Sequence, residues 1–447
     1  VSTASIASDE SLDSDMFTDR DKEVGYDESS AVMVAFSSSG ATASSDSVSV
    51  SGSKVTIKSE GTYIVTGTTS DGQIIVDADN KTKVQIVLKN TSVTCKSSAA
   101  LYVKQADKVF VTTAKDTENT LASTGDYVQP DDNNVDAAVF AKDDITFNGE
   151  GKLTVTSEKG HGIVSKDDLK LTSGEYNITA ASHALSGKNS IRIASGTYTL
   201  TSGKDGLHAE NTDDTSKGFV YIADGKFTVN CKGDGIDAGT TAQIENGTFN
   251  ITSNRDSSSL SSTDSASVKG IKAGGDLSLI HISEPTRLRR ISSITISGGK
   301  ITIDADGDGV DSNGSLTVTG GETYVFGSTS GDNGAVDYDG EATITGGIFI
   351  ATGSSQMAQN FGENSTQGSM LVNTNSSGEI TVKNSDGDVL VSFTPTKTYA
   401  CVVISCPGIT TGQTYTVTTG DSTTEVEMTS IIYGSGGMGG HGSMGGR

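Results

Sequence analysis

Residues 162–206 read GIVSKDDLKLTSGEYNITAASHALSGKNSIRIASGTYTLTSGKDG, and the fold is decided by the fact that this stretch says one thing twice. Gly162 and Ala184 each open a unit, 22 residues apart, made of a short apolar run, a polar turn, an alternating run ending near a Gly, and a third run. Period-two alternation places Leu169 and Leu171 on one face and polar residues on the other, the signature of half-buried strands. The same unit recurs on both sides. It opens at Ala138 (AVFAKDDITFNGEGKLTVT), Gly206 (GLHAE, resumed as GFVYIADGKFTVN), Gly235 (GIDAGTTAQIENGTFNITS), Gly309 (GVDSNGSLTVTGGETYVFG) and Ala335 (AVDYDGEATITGGIFIATG). One unit cannot bury its own apolar face, but stacked units can.

The expected fold is therefore all-β: a single-stranded parallel β-helix with coils of about 22 residues, rising about 4.8 Å per coil, with a C-terminal β cap. The units carry no helical period, which excludes helical repeat arrays. Longer steps mark loops at coil corners. From Gly206 to Gly235 the surplus is NTDDTSK, and from Gly235 to Gly270 it is the serine-rich segment 253–269. The step from Gly270 to Gly309 is 39 residues, and excising 279–295 restores 22. That block holds three of the seven arginines and resembles nothing else in the chain. The run LSLIHISEPTR from Leu277, with residues to 292, looks like a translated sequencing adapter, so the block reads as an artefactual insertion and carries no function. Residues 1–34, rich in Ser and Asp, read as a flexible stalk, 35–353 as the β-helix, 354–433 as a terminal β cap or sheet, and 434–447 as a disordered tail.

A net charge of −24 excludes a nucleic-acid partner, because phosphate binding needs clustered Lys and Arg. An acidic polymer would equally be repelled unless a cation stood between, and Ca²⁺, which prefers carboxylate and carbonyl oxygens, is the natural bridge. No stretch reaches the roughly 18 apolar residues of a membrane span. Cys95, Cys231, Cys401 and Cys406 show no paired spacing and read as small buried hydrophobes. The chain opens at Val1 without an initiator Met and reads as a processed form or a fragment, with export to the cell surface expected from the rest.

Stacking turns equivalent positions into columns. The residue before the unit's Gly reads His161, His183, Asp205, Asp234, Lys269 and Asp308; the second residue after it reads Val164, Ser186, His208, Asp237, Lys272, Asp311 and Asp337. Carboxylates one coil apart repel without a counter-ion. Two remedies stand open: Ca²⁺ held by Asp205, Asp234, Asp237 and Asp308, or a ladder in which Lys269 and Lys272 neutralise their neighbours. His183, His208, Lys269, Lys272, Asp311 and Asp337 are the expected carbohydrate contacts. A second acidic stack sets Asp143 and Asp144 over Asp167 and Asp168. Tyr176, Tyr198, Phe227, Phe249, Tyr324 and Phe349 recur at one place in the unit and read as an internal aromatic stack, while Tyr63, Tyr102, Tyr127 and Tyr338 are candidates for stacking on a sugar.

Five motifs resemble a known family: MFTDRD (Met16–Asp21), SDGQIIVDADN (Ser70–Asn80), GIVSKDDLKLTSG (Gly162–Gly174), GIKAGGDLS (Gly270–Ser278) and VDSNGSLTVTGG (Val310–Gly321). They look like the carbohydrate-binding domain-containing β-helix proteins of anaerobic Gram-positive bacteria. The resemblance implies a right-handed parallel β-helix similar to pectate lyases, bound calcium, affinity for cellulose and polygalacturonate without cleavage, and export, often with a lipid anchor. The expected function is non-catalytic, calcium-assisted binding of plant cell-wall polysaccharide by a monomer. The rival is a calcium-dependent pectate lyase, in which Lys269 or Lys272 would remove the proton beside a uronate carboxylate.

Overall fold

The structure, a computed structural model, describes residues 16–254, 268–274, 292–329 and 333–434. Most of the adapter-like run lies outside the described residues. The short strands pair in parallel along three ladders, and the chain visits them in turn, so that each visit to all three is one coil of a parallel β-helix. The first ladder runs from Lys54–Ile57 through Leu101–Gln105, Ala137–Ala141 and His161–Ser165 to Val336–Tyr338. A second carries Lys108–Thr113, Asp144–Gly149, Asp168–Leu171 and Ser190–Ile193 on to Ala342–Ile344. The third carries Glu118–Ser123, Lys152–Ser157, Glu175–Ala180 and Thr197–Ser202 on to Ile348–Gly353. The long strand Lys83–Cys95 pairs with both of the last two ladders and joins them.

Apolar residues of all three sheets point inward and form one continuous core. Register explains its regularity. Tyr176 pairs with Tyr198, Tyr198 with Phe227, and Phe227 with Phe249. Their rings stack inside the cylinder with centroids 5.2, 4.7 and 4.5 Å apart and interplanar angles of 7°, 9° and 1°. At the corner leading into this sheet Gly174 and Gly196 adopt φ of +115° and +128°, and a Cβ on Gly174 would lie 2.9 Å from the Tyr176 hydroxyl oxygen. Glycine is required there both by the backbone and by the ring it covers.

Several expectations need correction. Tyr324 is one residue out of phase with the internal stack: Thr323 pairs with Ile301, and Tyr324 faces outward against Phe393 at 4.4 Å. A one-residue offset is enough to move a side chain to the opposite face. Tyr63 and Tyr102 are buried and unavailable to a sugar, because each hydroxyl is tied down, to the Ser59 carbonyl and the Asp131 carboxylate. At the end of the excised block, Ser293–Ile296 fills the second-sheet slot between Thr241–Ile244 and Ser315–Val318. All four cysteines are free and buried.

The supposed stalk also differs from expectation. Residues 16–25 lie against the second sheet: Met16 packs on Phe219 and Tyr221, the Arg20 guanidinium sits 4.5 Å over the Phe110 ring, and Gln85 donates to the Gly25 carbonyl. Asp21 is fully buried, with its carboxylate 2.6 Å from Lys108 Nζ and 3.3 Å from Lys170 Nζ. A Ser/Asp-rich composition reads as solvated, yet one aspartate facing two lysines from coils on either side of the strand Asp144–Gly149 is enough to anchor it. Both ends of the cylinder are closed by antiparallel pairing. Val32–Ser37 pairs with Gly40–Ala43 at the start, and Ile348–Gly353 pairs with Tyr399–Ser405 at the end. Such caps deny free strand edges to other chains. A four-stranded antiparallel sheet (Ile380–Lys383, Val389–Phe393, Thr414–Thr419, Ser422–Glu427) completes the C-terminal cap.

Candidate functional site

The outward side of the first sheet brings together the two columns read from the sequence. Ser186 pairs with His208, His208 with Asp237, Asp237 with Lys272, Lys272 with Asp311, and Asp311 with Asp337. The residue before each Gly follows the same line through backbone bonds: the amides of Gly206, Gly235 and Gly270 donate to the carbonyls of Asp234, Lys269 and Asp308. Residues from Ser186 to Asp337 thereby collapse into a linear polar stripe parallel to the cylinder axis.

In Asp205, Asp234 and Asp308 one carboxylate oxygen is structural. Asp205 Oδ1 accepts the Asp234 amide at 2.8 Å, Asp234 Oδ1 the Lys269 amide at 2.7 Å, and Asp308 Oδ1 the Gly334 amide at 2.7 Å. In Asp205 and Asp234 the other oxygen faces basic side chains. Asp205 Oδ2 lies 2.9 Å from His183 Nδ1 and 3.2 Å from His208 Nδ1, and His208 Nδ1 is also 2.9 Å from Asp237 Oδ2. The Lys272 ammonium stands 3.8 Å from both Asp234 Oδ2 and Asp237 Oδ1, while Lys269 pairs with Asp311. The neutralising ladder is thus present: of the partners the columns suggest for the two lysines, Asp237 and Asp308, Asp237 meets Lys272, while Lys269 pairs with Asp311.

The electrostatics follow from these contacts. Burial disfavours an imidazolium at His208, but hydrogen bonds and charge from Asp205 and Asp237 outweigh it and lift the pKa to about 9. Burial would likewise raise Asp205, yet hydrogen bonding to His183 and His208 holds its carboxyl well below the usual range. Asp234 goes the other way. Burial and the neighbouring Asp237 and Asp205 carboxylates push it up to about 7, against only partial relief from Lys272. This part of the stripe is short of positive charge. His161 stacks on His183 at 4.9 Å and faces Asp136 at 3.7 Å; burial and the neighbouring imidazole press it down to about 3.

His183, Asp205 and His208 place three possible ligand atoms within 4.8 Å of one another. The two rings, however, are stacked 4.2 Å apart and only 8° from parallel. Parallel rings cannot both aim in-plane lone pairs at one ion, so in this arrangement the imidazoles serve Asp205 as hydrogen-bonding partners. Carboxylate oxygens are the donors that suit a hard cation, and of these Asp234 Oδ2 and Asp237 Oδ1 are held only at the outer limit of ion pairing by Lys272.

The second acidic stack is partly satisfied as well. The Asp168 amide donates to Asp144 Oδ1 at 3.1 Å, Arg192 reaches Asp168 at 3.0 Å, and Asn189 hydrogen-bonds Asp167. Burial and the Asp168 and Asp167 charges still push Asp144 up to about 6. Among the described residues, no helix is long and apolar enough to cross a membrane.

A curated protein of Acetivibrio thermocellus, described as a carbohydrate-binding domain-containing protein, is 37% identical over 137 residues, 30% of this chain and 48% of that protein. The chain thus spans about half the length of the curated relative it matches. A solved structure described as the polysaccharide lyase-like protein from C. thermocellum, a gadolinium derivative, aligns at 33% identity over 51% of this chain and 93% of its own, with a TM-score of 0.49. A family profile described as "Carbohydrate-binding domain-containing protein" matches residues 51–283, just over half of the 447 residues, and the chain belongs to that family.

Proposed function

We propose that the chain holds plant cell-wall polysaccharide, cellulosic or polygalacturonic, at the surface of the cell that exports it, and does so as a monomer without cutting the polymer. The observation that carries this reading is the in-register stripe from His183 and His208 through Lys269 and Lys272 to Asp311 and Asp337. A linear polar track along a rigid cylinder suits a linear polymer whose residues each make a few weak contacts. Calcium assists by standing between the carboxylates of Asp205, Asp234, Asp237 and Asp308 and an acidic sugar. The deficit of positive charge at Asp234 supports this role, since an added cation there would relieve repulsion that Lys272 leaves uncompensated.

Lyase chemistry is the weaker reading. A general base must be free to take a proton from the substrate, whereas Lys272 faces Asp234 and Asp237, and Lys269 faces Asp311. Incubation with polygalacturonate and calcium, following unsaturated-product absorbance beside a co-sedimentation assay, separates the two. Retention on the polymer without product is the expected result. Product that forms with wild-type protein and vanishes in Lys272→Ala would replace the binding reading with the lyase.

A further inference from the structure

The third sheet offers a surface of a different kind. Its outward positions form columns by register: Thr199 over Thr228 over Asn250, and beside them Thr179, Thr201 and Asn230. All six side chains are exposed. Among the described residues, none of the six makes a side-chain hydrogen bond or ion pair with another protein group, in contrast to the stripe on the first sheet, where nearly every polar group is engaged. Hydroxyls and amides thus stand free in a lattice spaced about 4.8 Å between coils and about 6.6 Å along each strand.

The lattice is flat, and the reason lies behind it. Adjacent strands in open sheets rotate by roughly 20–25°, but the rings of Tyr176, Tyr198, Phe227 and Phe249, carried on these same strands, depart from parallel by only 7°, 9° and 1°. The aromatic stack inside keeps successive coils nearly superimposed, so the outward threonines and asparagines repeat almost by translation. Threonine is β-branched and stiff about χ1, so little rotamer freedom is lost when it is covered. The six positions are uncharged on a chain carrying −24, so a neutral partner can settle there without stripping water from an ion.

We infer that this face of the third sheet is a docking surface for an ordered, uncharged, hydroxyl-bearing polysaccharide, such as the flat side of packed β-glucan chains. This deepens the reading of the chain as a polysaccharide binder and rests on it. The partner is selected by matching of charge and shape: an acidic polymer finds no cation among the six, and an isolated flexible chain gains little from a rigid lattice. Many weak contacts made at once give retention without any deep pocket. The region lies within the residues matched by the carbohydrate-binding family.

The test compares wild type with Thr199→Glu/Thr228→Lys, which raises two long charged side chains from the plane, leaves the net charge unchanged and sets opposite charges side by side across the paired strands. Pelleting with microcrystalline cellulose and retardation by soluble polygalacturonate in a native gel are measured side by side, with a thermal melt as the folding control. Expected are a loss of pelleting of tenfold or more and unchanged retardation, since the acidic polymer uses the first sheet. Should the charged pair fail to fold, Asn230→Lys on the same face is measured instead, with the same expectation. Variants that pellet like wild type overturn the assignment of the face and leave polysaccharide binding standing. So does a wild type that is retarded by the soluble polymer yet never pellets. A wild type indifferent to both polymers removes the binding reading itself, and the face with it.

Discussion

Replacing Asp21 by Ala should release the N-terminal segment from the cylinder while leaving the coils folded. The carboxylate is wholly buried, and beyond its two lysines it accepts from Thr146 Oγ1 at 2.9 Å and from the Thr18 amide at 2.9 Å. Lys108 and Lys170 are themselves only 11% and 8% exposed, so truncation strands two ammonium groups away from water. Removing one partner of a buried charge pair costs about 3–5 kcal/mol. A stacked array need not unfold as a whole to escape that cost. Residues 16–31 precede the first strand, so their detachment alone rehydrates both lysines. At about 1.4 kcal/mol per decade the detached population should rise roughly 10²–10⁴-fold. Trypsin reports it directly, because Arg20 and Lys22 lie in the docked segment. Cleavage there should accelerate by orders of magnitude in Asp21→Ala while cuts elsewhere stay slow, and Asp21→Asn should fall between. Acid should mimic the substitution. Burial would raise the Asp21 pKa, but Lys108, the Thr18 amide and Lys170 together hold it well below the ordinary carboxylate value of about 3.8. Its contribution is therefore complete above about 3.8 and is lost as pH falls toward the depressed value. A cleavage rate at Arg20 and Lys22 within threefold of wild type would refute the argument that this ion cluster holds the segment.

Other consequences are equally measurable. In chelator, His208 should titrate near 9 by NMR, and its stabilisation, about 3 kcal/mol, should be complete below pH 6.5 and lost as pH rises through 9, a dependence absent from His208→Gln; a titration near 6.5 removes the prediction. Phe227→Ala, deleting a ring between neighbours at 4.7 and 4.5 Å, should cost about 3–5 kcal/mol in denaturant melts and weaken pelleting with crystalline polymer; a loss under 1 kcal/mol would mean the stack is not a packed core. Chelation should reduce retardation by polygalacturonate several-fold and leave cellulose pelleting unchanged, whereas equal loss on both polymers would detach calcium from the acidic ligand. Lys272→Met should weaken retention of the acidic polymer and sharpen its calcium dependence, since Asp234 and Asp237 lose their shared cation; unchanged retention would exclude the lysine from the contact surface.

What the residue order alone determined is the cylinder and the identity of its columns. The spacing from Gly162 to Ala184 to Gly206 carries the coil length, and alternation within each unit carries the inside and outside faces, because both are local, periodic properties of the backbone. Hence His208, Asp237, Lys272 and Asp311 could be placed on one line from spacing, and the register agrees. Three things needed the tertiary structure. Which oxygen of Asp205 or Asp234 is occupied by a backbone amide depends on how side chains lean between coils, and this decided that Lys272 serves both Asp234 and Asp237. The docking of Asp21 on Lys108 and Lys170 joins residues 87 and 149 positions apart, a contact no period announces. The flatness of the threonine lattice comes from ring planes inside the cylinder, and orientation of one side chain against the next is settled only when the coils are packed.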